Sequence, residues 1–267
     1  MSIAEVFGKA AAENRGVLIG CMPAGFPTVD TSIASMLAMA DAGCDVIEVE
    51  MPYSDPVMDG PVIQQASDIA LAGGVRTRDT LRVIEAVAAK GVSVVLMSYW
   101  APIEKYGVDA FARDLAAAGA TGLITPDLIP DEAAEWIAAS DEHQIDRTFL
   151  VSPSSTDERL AMTLAQCRGF VYATALMGVT GARTSVSQAA PDLVARIRAA
   201  EPQLAVGVGL GVGNGRQAAE VAGFADGVIV GSALVRCVLD AADPAEGERN
   251  LRALSAELAE GVRNRPS

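Results

Sequence analysis

The sequence contains few of the residues on which several common kinds of site depend. Its 267 residues include one histidine, four cysteines and 4% aromatic residues. A single histidine excludes histidine-based triads, and the polar stretch around His143 predicts a solvated loop. The cysteines are scattered without CxxC spacing, at Cys21, Cys44, Cys167 and Cys237. With one histidine beside them they form no metal site, so we expect reduced packing residues.

The chain also lacks a surplus of positive charge and a long apolar run. Its 20 Lys and Arg residues against 34 Asp and Glu residues give a formal net charge of −14. This charge argues against nucleic acid binding through a basic surface. No apolar stretch approaches the ~18–20 residues that span a bilayer. Residues 2–12 predict an amphipathic helix and lack the pattern of a signal peptide. We therefore expect a cytoplasmic protein that does not bind membranes.

Short runs rich in Val, Ile and Leu alternate with Ala- and Leu-rich helical stretches. The predicted strands are Val17–Met22, Val46–Glu50, Ser93–Ser98, Gly122–Thr125, Thr148–Val151, Gly169–Ala173, Leu204–Gly209 and Gly227–Val230. Apolar strands separated by helices indicate a parallel sheet buried on both faces. Eight such repeats favour an α/β fold, a (β/α)8 TIM barrel with an extra N-terminal helix. An open doubly wound sheet is the alternative. No linker interrupts the pattern, so residues 1–267 predict one domain.

The most informative segment extends from residue 48 to residue 61. Glu48 lies inside the second predicted strand, and Asp59 follows eleven residues later in a Pro/Gly-rich loop. A carboxylate in a buried strand is costly unless it is paired or used. Two acids in different environments can divide into a proton-transferring group and a permanently ionised group. The segment predicts acid/base chemistry on a small molecule, with an acid that only caps the next loop as the alternative.

Glycine-rich segments follow the last three predicted strands. They are residues 176–184, residues 209–215 and Gly231-Ser232. Glycine lets the backbone approach a phosphate closely, and the loops after strands 7 and 8 of a barrel commonly hold one. Because the protein is acidic overall, the negative charge of the phosphate has to be stabilised by backbone N–H groups at the site itself. Together these segments favour a phosphorylated substrate, although tight turns use glycine as well.

These motifs resemble those of the tryptophan synthase α subunit family. The family signature, an acid followed by Pro-aromatic-Ser-Asp-Pro and Asp-Gly-Pro, is met between Glu48 and Pro61. The similarity continues in family order through residues 24–27, 126–128, 178–181 and 231–232. The resemblance implies a lyase of tryptophan biosynthesis that cleaves indole-3-glycerol phosphate to indole and glyceraldehyde 3-phosphate without a cofactor. It also implies a β subunit partner in an α2β2 heterotetramer, to which the indole passes.

The resemblance further implies roles for individual residues. Glu48 would be the general acid/base, Asp59 the partner of the indole N–H, and Tyr172 a neighbour of the catalytic acid, or else only a packing residue. The phosphate would rest on backbone donors around Gly181, Gly211, Gly231 and Ser232. The lid over the substrate would include Gly178, Val179, Thr180 and Arg183, unless this segment is only a mobile surface loop. The partner surface would include Pro56, Met58 and residues 101–106.

Several residues depart from the family pattern near the implied pocket. Glu50 stands where the family usually has glycine, and alternate strand residues share a face ~6.6 Å apart. Unless a bulge at the strand end turns it aside, we expect Glu50 to point into the cavity of Glu48, to raise the pKa of Glu48 and to crowd the indole. Cys21 replaces a usual aromatic residue, and Ala101 a usual asparagine. A second hypothesis is therefore a weakly active or inactive subunit that binds and activates the β chain. A phosphate-sugar isomerase is the weaker third, because its aspartate after the first strand is missing.

Overall fold

The computed structural model of this chain describes residues 1–174 and 188–265. Its strands are β1 (Val17–Pro23), β2 (Val46–Glu50), β3 (Ser93–Met97), β4 (Gly122–Thr125), β5 (Asp146–Val151), β6 (Phe170–Thr174), β7 (Ala205–Gly209) and β8 (Gly227–Val230). They form a closed barrel in chain order, and β8 pairs with β1 in parallel. The predicted TIM barrel is confirmed, and the open-sheet alternative is wrong because both edges of the sheet are paired.

Helices connect the strands and cover the outside of the barrel. They are α1 (Ile3–Ala12), α2 (Val29–Asp41), α3 (Pro61–Ala72), α4 (Thr77–Ala88), α5 (Trp100–Tyr106), α6 (Val108–Ala117), α7 (Ala134–Glu142), α8 (Asp157–Gln166), α9 (Ala189–Ala200), α10 (Gly215–Ala222), α11 (Ser232–Leu239) and α12 (Pro244–Arg263). Within the described ranges, no helix is both long and apolar enough to cross a membrane.

The predicted N-terminal helix closes the amino-terminal mouth of the barrel. Ser2 caps α1 by accepting from the Glu5 backbone N–H, and the Glu5 side chain accepts from the Ser2 N–H in return. The apolar face of α1 joins the inward side chains of the lower barrel in one core cluster. Phe7 of this helix lies 5.7 Å from Phe170 of β6, measured between ring centroids. The lower interior is therefore apolar and filled.

The upper interior of the barrel is polar on the side of β1 and β2. Ile19 and Val46 belong to the apolar lower cluster. Side chains alternate between the two faces of a strand, so the next inward positions toward the carboxyl ends are Cys21, Glu48 and Glu50. All three are buried. The fold therefore places two carboxyl groups inside the barrel, on the end where barrel enzymes bind substrates.

Two local features differ from the expectations. β5 begins at Asp146 rather than Thr148. Arg147 can be buried in this strand because its guanidinium donates to the Gln166 carbonyl at 3.0 Å and to the Ser140 hydroxyl at 2.8 Å. His143 is not in a solvated loop. It caps the end of α7, its Nε2 lies 2.9 Å from Asp109 Oδ1, and its side chain is 19% exposed.

Candidate active site

Glu48 lies in the middle of β2, between Cys21 of β1 and Val95 of β3 in the strand register. Only 1% of the residue is exposed. Burial raises the pKa of Glu48 to about 7, a hydrogen bond from Cys21 lowers it, and the charge of Asp59 raises it. Its Oε2 atom has no hydrogen-bond partner in the part of the chain that the structure describes. A carboxyl group that titrates near neutrality and keeps one oxygen free can both give and accept a proton.

Asp59 lies in the loop between β2 and α3, where Tyr99 holds its carboxyl group. The Tyr99 hydroxyl donates to Asp59 Oδ1 at 2.7 Å and accepts from the Met58 backbone N–H at 3.1 Å. Tyr99 is itself buried and stacks on Tyr53, with ring centroids 5.0 Å apart. Burial raises the pKa of Asp59, while hydrogen bonds from Tyr99 and Glu50 lower it. The loops after β2 and β3 therefore fix this carboxyl group at the mouth of the barrel.

Glu50 points into the cavity of Glu48, as the strand spacing predicts. The Cys21 thiol donates to Glu50 Oε2 at 3.5 Å and is also in hydrogen-bonding contact with Glu48. Burial and the charges of Asp59 and Glu48 raise the pKa of Glu50 well above its usual range. The two acids therefore interact, since the charge of Glu48 raises the pKa of Glu50, while the charge that raises the pKa of Glu48 comes from Asp59. The prediction that Glu50 raises the pKa of Glu48 stays a prediction.

Tyr172 faces the same cavity from β6, on the opposite side of the barrel from β2. Gly209 of β7 gives its ring space, since a Cβ atom at that position would lie 2.5 Å from the Tyr172 hydroxyl oxygen. Burial, followed by the charge of Glu48, raises the pKa of Tyr172 well above its usual range. The hydroxyl group therefore stays protonated beside the acids, where it can donate a hydrogen bond.

Three of the predicted phosphate-binding residues lie at the carboxyl ends of β7 and β8. Gly211 has φ of +70°, a conformation that favours glycine. A Cβ atom added to this residue would point into open space. Gly231 and Ser232 form the N-cap and first residue of α11, and no side chain caps this helix. Gly60, the N-cap of α3, is also without a side-chain cap. A Cβ atom on Gly60 would lie 4.0 Å from Ser232 Oγ, so two helix N-termini, which favour anions, converge here.

Some predicted site residues lie outside the described residues. They are the fourth phosphate-binding residue, Gly181, and the lid residues Gly178, Val179, Thr180 and Arg183. The described chain ends at Thr174 in β6 and resumes at Gln188, directly before α9. The predictions for these five residues stay predictions.

Residues that position the acids were not predicted from the sequence. Tyr99 follows β3, the strand beside β2, and a tyrosine at that end of a neighbouring strand was a usable signal. Asp127 follows β4 and accepts from the Trp100 backbone N–H at 2.9 Å, which fixes the start of α5 directly after Tyr99. Cys21, expected to be a reduced packing residue in place of a usual aromatic residue, is free and buried, and it also contacts both Glu48 and Glu50.

One group of potential metal ligands occurs among the residues described. The ligand atoms of Asp109, Glu142 and His143 lie within 4.8 Å of one another. The group stands on α6 and α7, outside the barrel, and two of its members are exposed carboxylates. It lies apart from the acids buried inside the barrel.

Comparisons with known proteins identify the family. A family model described as tryptophan synthase alpha chain matches residues 7–263. The tryptophan synthase alpha chain of Salinispora arenicola (strain CNS-205) is 74% identical over 261 residues, which cover 98% of this chain and 97% of that protein. The chain belongs to the tryptophan synthase alpha chain family. It is therefore a carbon–carbon lyase of tryptophan biosynthesis that performs a retro-aldol reaction on indole-3-glycerol phosphate.

Solved structures of tryptophan synthase support the same family assignment. A structure of Mycobacterium tuberculosis tryptophan synthase aligns with a TM-score of 0.91 and 58% identity over 98% of both chains. The tryptophan synthase subunit alpha from Legionella pneumophila str. Paris aligns with a TM-score of 0.85 and 32% identity over 99% of both chains. The recognised family and the lyase function are confirmed, and the phosphate-sugar isomerase hypothesis is wrong.

Proposed function

We propose that Glu48 is the general acid/base of the alpha reaction in this chain. The observation that carries the proposal is a buried carboxyl group with a pKa of about 7 and one oxygen without a partner in the described structure. Near neutral pH such a group is present in both protonation states, which is the condition for efficient proton transfer in either direction.

The reaction needs two proton transfers that one carboxyl group can perform. Protonated Glu48 gives its proton to indole C3, which creates a positive charge on the ring system. The resulting carboxylate then takes the proton of the glycerol hydroxyl next to C3. The carbon–carbon bond breaks, its electron pair returns to the ring, and an aldehyde forms. Glu48 ends the cycle protonated, so indole and glyceraldehyde 3-phosphate are released without a net change in the enzyme.

Asp59 and Tyr172 would support these steps without exchanging protons with C3. We assign Asp59 as the carboxylate that accepts the indole N–H, because a fixed negative charge stabilises the positive charge that develops on the ring nitrogen. Its two hydrogen-bond donors, Tyr99 and Glu50, favour the ionised form. Tyr172 would donate from its protonated hydroxyl beside Glu48.

The phosphate would bind at the convergence of the loops after β7 and β8. Backbone donors around Gly211, Gly231 and Ser232 are assigned to it, with Gly181 as the fourth predicted contributor. The uncapped N-terminus of α11 supports this assignment, because free backbone N–H groups and the helix dipole both favour an anion. Residues 178–183 would close over the bound substrate as the predicted lid.

The β subunit of tryptophan synthase is the partner in an α2β2 complex. We place its contact on the rim formed by the loop after β2 and by α5. Val57, Met58 and Tyr106 are 75%, 47% and 40% exposed, so this rim offers apolar side chains that a partner would cover. A groove of about 580 Å³ is lined by Tyr53, Ala101 and Tyr106 of these segments, and by residues between positions 71 and 80. Indole released between Glu48 and Asp59 would leave through this rim.

A cytoplasmic single-domain chain is the setting that we propose for this activity. All four cysteines are free, as in proteins of reducing compartments. The described strands belong to one closed barrel, which is consistent with residues 1–267 folding as one domain. Fractionation of the native host, with detection of the chain in the cytoplasmic extract, tests the location.

Indole release from indole-3-glycerol phosphate, with and without the β subunit, tests the proposed role. Glu48→Gln keeps the size of the side chain and removes the titrating group, so we expect turnover to fall by at least ~10²-fold. Glu85→Gln, at an exposed position on α4, is the matched control and should behave as the natural chain. Turnover by Glu48→Gln at the natural rate would refute the assignment. A natural chain that is inert but activates the β subunit would support the binding-subunit hypothesis instead.

A further inference from the structure

Glu50 is a second buried carboxyl group in the cavity, and the reaction assigned to Glu48 and Asp59 does not require it. It is the last residue of β2, where it pairs in register with Pro23 of β1 and Met97 of β3. It is 4% exposed. An acid is almost never buried to this extent unless it is paired or has a function.

Glu50 has polar partners on two sides. Its Oε2 accepts from the Cys21 thiol at 3.5 Å. Its carboxyl group is also hydrogen-bonded to that of Asp59. Two carboxyl groups joined by a hydrogen bond hold a proton between them, because one of the two has to donate.

The surroundings decide which of these two acids keeps the proton. Glu50 is buried in the barrel, whereas Asp59 is half-buried at its mouth. Desolvation penalises the ionised form more strongly in the deeper position. Asp59 also accepts from the Tyr99 hydroxyl at 2.7 Å, which stabilises its carboxylate. The proton therefore resides on Glu50, and Asp59 is the acceptor of two hydrogen bonds.

We propose that Glu50 is a positioning residue for the lyase reaction: as an un-ionised acid it donates to Asp59 and, together with Tyr99, aims that carboxylate at the indole N–H. A carboxylate has about four lone-pair sites, so two donors leave room for the indole. The inference rests on the proposed role of Asp59. It gives Glu50 a constructive function in addition to the raised pKa of Glu48 and the crowding of the indole that the sequence suggested.

Two substitutions of similar size separate hydrogen-bond donation from space filling. Glu50→Gln keeps a donor toward Asp59, whereas Glu50→Leu removes it and leaves a neutral, apolar side chain. Loss of a hydrogen bond to a charged group predicts a fall in kcat/KM of about 10- to 100-fold for Glu50→Leu. Glu50→Gln should recover most of this loss. Glu50→Met repeats the test if the leucine variant does not fold, and near-natural kcat/KM in the apolar variant would overturn the proposal.

A double-mutant cycle with Asp59→Asn shows whether Glu50 acts through Asp59. We expect Glu50→Leu to cost much less in the Asp59→Asn background than in the natural chain. An equal cost in both backgrounds, or an equal loss in the leucine and glutamine variants, would overturn the proposal. Natural kcat/KM in Asp59→Asn alone would instead refute the role of Asp59, so the two failures are distinguishable.

An infrared measurement on the free protein reports the proton directly. At about pH 8.5 most of Glu48 is ionised, because its pKa is about 7. We expect a carbonyl stretch of an un-ionised carboxyl group to remain at this pH, to be lost in Glu50→Gln and to persist in Glu48→Gln. A spectrum of Glu50→Gln that matches the natural chain would show that Glu50 carries no proton, against the proposal.

Discussion

Replacement of Glu48 by glutamine should change the pH dependence of folding stability, in addition to removing activity. Burial raises the pKa of Glu48 from 4.5 in the unfolded chain to about 7 in the folded protein. The folded state therefore binds this proton more tightly than the unfolded state. The contribution of Glu48 to the free energy of unfolding is fully present below pH 4.5, and it is lost progressively as the pH rises to about 7.

The size of this loss follows from the two pKa values. At ~1.4 kcal/mol for each tenfold change, the difference between 4.5 and about 7 corresponds to about 3 kcal/mol. Glutamine does not titrate, so the variant lacks this pH-dependent loss. Its amide adds an unsatisfied buried donor at a cost of ~1–3 kcal/mol, but that cost is independent of pH. The comparison between pH values therefore isolates the ionisation of Glu48.

Urea unfolding of the natural chain and of Glu48→Gln at about pH 5 and about pH 8 measures the effect. The free energy of unfolding of the variant, relative to the natural chain, should increase by about 2 to 3 kcal/mol between these pH values. Glu85→Gln, the exposed control, should show no such increase. A constant difference between the natural chain and Glu48→Gln across this range would refute the raised pKa and the reasoning built on it.

Three further substitutions test the supports of the site. Tyr99→Phe removes the 2.7 Å hydrogen bond to Asp59 and should lower kcat/KM in indole release by about 10- to 100-fold; an unchanged value would contradict the role of this bond. Gly209→Ala places a Cβ atom 2.5 Å from the Tyr172 hydroxyl oxygen, so it should displace the ring and lower kcat. The control is Gly8→Ala, at an exposed position on α1, which should leave kcat unchanged. Ser232→Ala should raise KM about 3- to 10-fold with little change in kcat, because a contact with the phosphate stabilises the ground state and the transition state equally. A fall in kcat alone would exclude a phosphate-binding role for Ser232.

The barrel was predictable because its strands are short apolar runs that alternate with helices. Every predicted strand has its counterpart, with ends that agree to within one residue except at the start of β5, which differs by two. The start of β5 was not predicted because Arg147 is polar, and its hydrogen-bond partners come from the flanking helices α7 and α8 rather than from the strand itself. α4 begins at Thr77, where the Asp79 side chain accepts from the Arg76 N–H at 2.9 Å and stabilises the first turn.

The two acids of β2 were predictable, but their protonation was not. The two-residue period of a strand places Glu48 and Glu50 on one face, and the structure confirms this. Tyr99 and Asp59, however, are 40 positions apart and meet only because the loops after β2 and β3 adjoin. Which acid keeps its proton depends on this contact and on the depth of burial, and a sequence specifies neither.

The most direct test of the central claim is hydrogen exchange at indole C3. Indole and glycerol phosphate, which would fill the phosphate site, are incubated in D2O with the natural chain or with Glu48→Gln, and the C3 proton signal is followed by NMR. Proton transfer by Glu48 predicts rapid loss of the signal with the natural chain and loss at the buffer rate with the variant. Exchange by Glu48→Gln at the natural rate would contradict the assignment of Glu48 as the acid/base.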